Sequence, residues 1–367
     1  MRKPDGPTLF LGAALLVALA TFGGLFLHSF RGSLSTEAAT PETALETAAL
    51  ETAATATRRS LADLPFDGRR SYGYLNQLCA LGPRFSGSPG MVKQQELLEK
   101  HFRDLGAKVD RQKFRVRHPL SGAPVDMANL IVQWHPDRRD RVLLCAHYDT
   151  RPFPDRDPDP RRRRGIFLGA NDGASGVAVL MELGQRMPEL KTSWGVDFVL
   201  FDGEELVYDD ERNEYFLGSR YFAQKYVEQP PQHRYNAAVL LDMVGDKHLQ
   251  LFQERISLSW ADSRPLVESI WKKAETLGVR EFIPRGRYEI RDDHLMLHDI
   301  AGIPACDLID FDYVAPGSRR SFWHTEGDSP DKCSAESLAK VGWVVWEWLR
   351  EGAEPFAVRR AAQEDAP

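Results

Sequence analysis

Carboxylate and imidazole side chains recur in this sequence where short apolar segments end. Four such segments, RVLLCAHY, VDFVLFD, AAVLLDMVG and IPACDLIDF, have the composition of strands buried on both faces. The acids and histidines in, between or after these segments are, in chain order, His147, Asp149, Asp172, Glu204, Glu205, Asp242 and His324. Charged groups at buried strand ends are costly unless they are paired or bind a metal. Their grouping therefore indicates a functional site.

A mixed set of carboxylate oxygens and imidazole nitrogens is typical of a zinc site. Several carboxylates held close together would repel one another strongly without a cation between them. In an extended chain Glu204 and Glu205 point in different directions, so one can bind metal while the other stays free. A free carboxylate beside a metal ion suits general acid–base catalysis. Asp149, two residues after His147, is placed to orient that imidazole.

Each of these residues also has a purely structural interpretation. Asp172 directly precedes an apolar helical segment, GANDGASGVAVLMEL, and could cap that helix. The Glu204-Glu205 pair could be solvated, and His324 could be an ordinary loop histidine. Their joint occurrence at successive strand ends favours a site. The remaining histidines that lack such neighbours are interpreted as surface or packing residues: His28, His101, His118, His135, His233, His248 and His298.

Strands alternate with helices along most of the chain, which predicts how these side chains are brought together. Strands are also expected at 107–116 and 127–134, and helices at 71–82, 89–106, 173–187, 217–227, 264–277, 293–300 and 334–350. This order predicts an α/β fold: a single-domain α/β/α sandwich with a central mixed, mostly parallel sheet. In such sheets ligands bind at the carboxyl ends of the strands.

Composition limits the class of protein. The chain has 367 residues, 43% of them hydrophobic and 27% charged, as in a folded globular protein. Its net charge of −6 argues against nucleic acid as a partner. Four cysteines are too few for a disulfide scaffold at this length. Cys145 and Cys306 fit buried strands, whereas Cys79 and Cys333 could pair.

The N-terminal region differs from the rest. Residues 8–30 form an uncharged apolar run long enough to span a bilayer, and Arg2 and Lys3 precede it. We therefore expect a signal anchor or transmembrane helix over 1–30, a Glu/Thr/Ala-rich tether over 31–62 and a catalytic domain over 63–367. This order predicts a membrane-anchored protein whose catalytic domain is extracytoplasmic (periplasmic or extracellular). The domain would be secreted if the N-terminal segment were cleaved.

From about Tyr72 to Leu349 the sequence resembles the M28 family of zinc aminopeptidases and, within it, the glutaminyl cyclases. The motifs that carry the resemblance are HYDT, GANDGASG, FDGEE, LGSRYFA, LLDMVGD, DDH and WHT. The resemblance implies that Asp172, Glu205 and His324 hold zinc and that Glu204 is the catalytic acid/base. It also implies that His147 and Asp242 bind a second zinc in the two-metal aminopeptidases. Both positions persist around a single zinc in the cyclases.

Three features favour the cyclases over the peptidases. Asp292, in IRDDHLMLHDIAGIP, matches the cyclase aspartate that shares a hydrogen-bond network with the acid/base glutamate, and Asp242 is expected to join it in catalysis. Trp323 matches the pocket tryptophan beside the substrate's glutamine side chain. The long acidic, Pro-rich segment after His147 resembles that of bacterial cyclases. Asp307 stands where animal cyclases have a histidine and is expected to contact substrate. The animal enzymes' tryptophan after the Glu-Glu pair is absent here.

The resemblance thus implies a zinc-dependent glutaminyl-peptide cyclotransferase that converts N-terminal glutamine of peptides or proteins to pyroglutamate and releases ammonia. One zinc ion is expected. The alternative is an M28 aminopeptidase with two zinc ions that hydrolyses the first peptide bond. A non-catalytic tethered binding ectodomain is a third interpretation, which the loss of a metal ligand would indicate.

Overall fold

The computed structural model describes residues 61–351, 353 and 356, and its centre is a six-stranded mixed sheet. Its strands and those of a small second sheet are β1 (Lys108–Arg117), β2 (Pro124–Trp134), β3 (Asp140–His147), β4 (Gly195–Phe201), β5 (Arg234–Asp242), β6 (Leu251–Glu254), β7 (Phe282–Arg287) and β8 (Ala305–Ile309). The large sheet has the order β1-β2-β4-β3-β5-β8. β3 is parallel to β4 and β5, and β5 is parallel to β8. β2 pairs antiparallel with both β1 and β4. The prediction of a mixed sheet is confirmed.

Helices cover both faces of the large sheet. They are α1 (Gly68–Cys79), α2 (Pro89–Asp104), α3 (Ser175–Gly184), α4 (Leu217–Glu228), α5 (Arg255–Ser259), α6 (Arg264–Leu277), α7 (Asp293–Asp299) and α8 (Ala335–Glu351). Alternate residues of β3 show the layering: Leu144 packs in the core shared with α1, α3 and α8, whereas Leu143 packs with Phe222 of α4 and Leu297 of α7. This strand is buried on both sides, which explains its unbroken apolar sequence.

The carboxyl ends of the parallel strands meet at one edge of the sheet. β3 ends at His147, β4 ends just before Asp202, and β5 ends at Asp242. The chain reaches Asp310 immediately after β8. The alternation of strands and helices therefore does bring the predicted residues to one edge.

Asp202 fastens the end of β4 to its surroundings. Its fully buried carboxylate accepts hydrogen bonds from the Ser86 hydroxyl at 2.7 Å and the Ala128 backbone N–H at 2.9 Å. Burial, followed by the charge of Asp149, raises the pKa of Asp202 from 3.8 to about 7. The protonated side chain therefore favours the folded state, and this contribution is lost as the pH rises toward 7.

Asp202→Asn should remove this pH dependence, because asparagine stays neutral and can still bond Ser86 and Ala128. Between pH 5 and pH 7 the variant's free energy of unfolding should gain about 2–3 kcal/mol relative to the unmodified chain. Urea unfolding at the two pH values measures the difference. Asp126→Asn, at an exposed carboxylate, is the control. If the free energy of unfolding of the variant differed from that of the unmodified chain by the same amount at both pH values, Asp202 would not cause the pH dependence.

The small sheet and α5 were not predicted. β6 has four residues, and β7 contains Pro284 and Gly286 and is largely exposed, so neither gives a clear alternating pattern. Glu254, at the end of β6, caps α5 and also accepts the backbone N–H of Ile290 at 3.0 Å. This unit thereby supports the chain segment that precedes Asp292.

Two predictions from the sequence concern the N-terminal anchor with its tether and a possible disulfide. The predicted anchor over 1–30, and all but the last two residues of the tether, lie outside the described residues. Within the described part of the chain, no helix is long and apolar enough to cross a membrane. Cys79 and Cys333 are both buried and free, so the pairing left open by the sequence is not present.

Candidate metal centre and active site

Three buried side chains from different elements converge at the sheet edge. His147 comes from the end of β3, Asp172 from the turn before α3, and Glu205 from the loop after β4. Their ligand atoms all lie within 4.8 Å of one another. Such a group could hold a metal ion.

Asp172 lies between two sets of ligands. On one side its Oδ2 is 3.5 Å from Nε2 of His324, and the same Nε2 is 2.6 Å from Oε1 of Glu205. On the other side its Oδ1 is 3.2 Å from Nε2 of His147, which is 3.1 Å from Oδ1 of Asp242. The first set is the predicted zinc site, and the second is the predicted site for a second metal ion.

The charges and unpartnered atoms of the first set fit a divalent cation. Among the described residues, Oδ2 of buried Asp172 has no hydrogen-bond partner. Burial, followed by the charge of Glu205, raises the pKa of Asp172 to about 6, and burial raises the pKa of Glu205 to about 7. Burial lowers the pKa of His324 to about 3, which keeps the imidazole neutral as metal binding requires. A cation would offset the repulsion between the carboxylates, and this nitrogen and oxygen donor set suits zinc.

The turn around Asp172 is shaped for the site and not for capping. α3 begins at Ser175, and no side chain caps its first turn. Gly173 has a φ of +91°, and a Cβ atom there would lie 2.5 Å from the carbonyl oxygen of Asp149. Only glycine avoids this clash, and it lets Asp172 approach the end of β3 closely.

Two buried aspartates orient the backbone that carries the ligands. The carboxylate of Asp149 accepts the backbone N–H groups of Glu204 at 3.1 Å and Glu205 at 3.0 Å. Its Oδ1 is 3.7 Å from Nδ1 of His147, longer than a hydrogen bond, so its bonds go to the Glu-Glu turn and not to the imidazole as expected. Asp328, which the sequence did not suggest, accepts the N–H of Asp172 at 3.1 Å.

Glu204 faces a cavity beside the metal ligands. It is half-buried and lies outside the ligand group, although its neighbour Glu205 belongs to that group. Burial, followed by the charge of Glu205, raises the pKa of Glu204 well above its usual range. A carboxyl group with a raised pKa beside the metal ligands suits acid–base catalysis.

The cavity has a volume of about 310 Å³ and joins acidic and aromatic side chains. Its lining consists of Asp172, Glu204, Glu205, Tyr215, Phe216, Asp242, Met243, Glu289, Ile290, Arg291, Asp292, Ile309, Phe311, Trp323 and His324. The ring of Trp323 lies 3.8 Å from that of His324 and meets Phe311 edge-on at 5.3 Å. Trp323 thus forms a wall of the cavity directly beside a metal ligand.

Asp292 lines the cavity together with Glu204 and Asp242. Its side chain accepts the backbone N–H of Asp293 at 2.6 Å and so caps α7. Burial, followed by the charge of Asp242, raises the pKa of Asp292 well above its usual range. The three predicted catalytic carboxyl groups therefore share one surface.

The expected contact between Asp307 and substrate is not what the structure shows. Asp307 is fully buried and does not line the cavity. Alternation along β8 turns its side chain toward α7, where its Oδ2 is 3.9 Å from Nδ1 of His294. Ile309, two residues further along the same face, reaches the cavity instead.

His294 was overlooked as a separate residue, although it belongs to the DDH motif. It is fully buried two residues after Asp292, and its Nε2 is 3.5 Å from Glu254. Arg151, which directly follows the HYDT motif, was also missed. Its side chain is a buried cation among acidic side chains. Its position directly after HYDT is the sequence feature that could have identified it.

Comparison with known proteins agrees with this geometry. The model of peptidase family M28 matches residues 129–349. The crystal structure of glutaminyl cyclase from Fimbriiglobus ruber is 43% identical, with a TM-score of 0.73 over 78% of this chain and 95% of that one. A Zn-dependent exopeptidase from Parabacteroides distasonis is 32% identical, with a TM-score of 0.71 over 78% of this chain and 98% of that one.

A curated relative points the same way. The glutaminyl-peptide cyclotransferase-like protein of Bos taurus is 25% identical over 293 residues, which are 73% of this chain and 72% of that protein. The family model covers more than half of this chain and includes the strands and loops that carry the metal ligands. The chain therefore belongs to peptidase family M28, with bacterial glutaminyl cyclases among its relatives.

Proposed function

We propose that this chain is a zinc-dependent glutaminyl-peptide cyclotransferase that acts on N-terminal glutamine of peptides or proteins. The observation that carries the proposal is a single cavity in which Glu204 and Trp323 flank the ligand set of Asp172, Glu205 and His324. The 43% identity to the Fimbriiglobus ruber glutaminyl cyclase supports the same activity.

The reaction is an intramolecular attack of the substrate's α-amine on its own side-chain amide. Zinc bound by Asp172, Glu205 and His324 would polarise the amide carbonyl. Glu204 takes a proton from the α-amine as it attacks and returns a proton to the departing ammonia. The cavity holds amine and amide together, which lowers the entropic part of the barrier.

Asp292 and Asp242 support Glu204 in this scheme. The charge of Asp292 helps to raise the pKa of Glu204, and the charge of Asp242 helps to raise the pKa of Asp292. This environment favours the protonated form of Glu204, so the side chain can hold the proton taken from the α-amine until it passes to the leaving ammonia. Trp323 offers a flat apolar wall against which the glutamine side chain can lie.

An M28 aminopeptidase is the second candidate, because the structure also offers ligands for the second metal ion that it would need. His147 and Asp242 lie on the far side of Asp172 with the spacing of a second ligand set. The 32% identity to the Zn-dependent exopeptidase from Parabacteroides distasonis points to the same chemistry. In that reaction Glu204 would activate water for attack on the first peptide bond. A non-catalytic binding ectodomain is less favoured, because every ligand position of both sets is filled by a suitable side chain.

The zinc content of the purified chain tests these candidates. After incubation with zinc and removal of the excess, we expect about one zinc ion per chain, because a cyclase uses only Asp172, Glu205 and His324. Elemental mass spectrometry measures the number of zinc ions per chain. Two ions per chain would favour the aminopeptidase, and none would favour the binding module.

Attachment to a membrane also belongs to the proposal. Residues 8–30 form an uncharged apolar run, and Arg2 and Lys3 precede it. Cations on the short side favour a cytoplasmic N-terminus. The catalytic domain would then lie on the extracytoplasmic side at the end of the tether, where it meets the N-termini of exported peptides or proteins.

A further inference from the structure

A buried arginine joins the loop after β3 to the loop after β4. Arg151 is 1% exposed, and its guanidinium group pairs with Asp155 through Nε at 2.8 Å and Nη2 at 2.9 Å. The same Nη2 also donates to Asp210 from the second loop. A buried guanidinium is costly to desolvate unless carboxylates pair with it, so these contacts fix both loops relative to each other.

One set of contacts leads from Arg151 to the metal ligands. Its backbone N–H donates to Oε2 of Glu205 at 3.0 Å. Oδ1 of its partner Asp155 is 3.9 Å from Nδ1 of His324, and the N–H of Arg156 donates to the carbonyl oxygen of His324 at 3.1 Å. Among the described residues, Nδ1 of His324 has no hydrogen-bond partner. The separation between Asp155 and His324 is longer than a hydrogen bond, so the Asp155 carboxylate acts on this imidazole through its charge. We call this set the metal arm.

Another set of contacts leads from Arg151 to the wall of the cavity. Asp210 accepts the hydroxyl of Tyr215 at 2.6 Å and pairs with Nη2 of Arg156 at 2.7 Å. The guanidinium of Arg156 lies 4.5 Å from the ring centre of Trp323. Tyr215 and Trp323 both line the cavity. We call this set the pocket arm.

We propose that Arg151 is a positioning residue that fixes the zinc ligands and the substrate-binding wall relative to each other. Asp155 carries the metal arm and Asp210 carries the pocket arm. The inference rests on the proposed function, because KM is measured with a Gln-initiated peptide. The metal arm is tested by zinc affinity, which needs no turnover. A lysine cannot replace Arg151, because its point charge lacks the fork that reaches both aspartates.

Single variants in the full chain separate the two arms. Asp155→Asn should weaken zinc binding ~10-fold in chelator competition, while KM for a Gln-initiated peptide at saturating zinc changes little. Asp210→Asn, at a partly exposed ion pair, should raise that KM about 5-fold and leave zinc affinity unchanged. Arg151→Met should show both losses. Arg151→Lys should recover thermal stability without restoring both parameters.

Arg161→Met is the matched control, since Arg161 lies in the same segment but is exposed and pairs with Asp159 at the surface. It should change neither parameter. The proposal fails if Arg151→Met lowers only the melting temperature, or if both aspartate variants shift the same parameter. If Arg151→Met does not fold, the two aspartate variants decide. A chain that releases no ammonia from Gln peptides would refute the proposed function, while zinc affinities would still test the metal arm.

Discussion

Glu204→Gln should lower kcat by ~10²–10⁴ while zinc stays bound, because glutamine keeps the shape of the side chain but cannot transfer the proton. Glu204 lines the cavity and lies outside the group of ligand atoms that includes Glu205. Steady-state kinetics with a Gln-initiated peptide, together with the zinc content of the same preparation, measure both parts of the prediction.

Glu205→Gln is the control for this experiment. Glu205 approaches Nε2 of His324 to 2.6 Å, so its replacement should reduce zinc retention as well as activity. If zinc were lost from Glu204→Gln and kept by Glu205→Gln, the roles of the two glutamates would be exchanged. A kcat that Glu204→Gln left unchanged would remove Glu204 from the mechanism.

Trp323→Ala should raise KM for the same peptide ~10-fold or more and leave the zinc content intact. The indole forms a cavity wall, and a buried aromatic contact is worth about 1–3 kcal/mol in binding. Trp323→Phe keeps a flat ring at this position and should recover most of the loss. The variants are compared by KM and kcat at saturating zinc.

Unaltered kinetics in Trp323→Ala would exclude the indole from substrate binding. The ring also lies 3.8 Å from that of His324, so the zinc content must be measured in parallel. If a fall in zinc content accounted for the whole loss of activity, Trp323 would support the metal ligand His324 and would not bind the substrate.

The location of the site could be predicted because of the regular geometry of parallel strands. Buried strands give unbroken apolar segments, and their carboxyl ends meet at one edge. His147 and Asp242 are the last residues of β3 and β5, and Glu205 follows β4. The structure places all three in one group around Asp172. Gly173, in the turn beside Asp172, has a positive φ, which glycine adopts without strain.

Contacts between distant parts of the chain could not be predicted in this way. Arg151 meets Asp210 across 59 positions, and Asp328 supports the N–H of Asp172 across 156. No local pattern specifies either pair. The place of Asp307 along β8 decides its contacts: its side chain lies beside His294 of α7, whereas Ile309, at the end of the same face, reaches the cavity.

The central claim is tested most directly by incubating the purified, zinc-loaded chain with a Gln-initiated peptide and recording the product by mass spectrometry. The account predicts the loss of one ammonia from a peptide that is otherwise whole, because the α-amine attacks the side-chain amide within the cavity. Release of the N-terminal residue would contradict it and would make the chain an aminopeptidase.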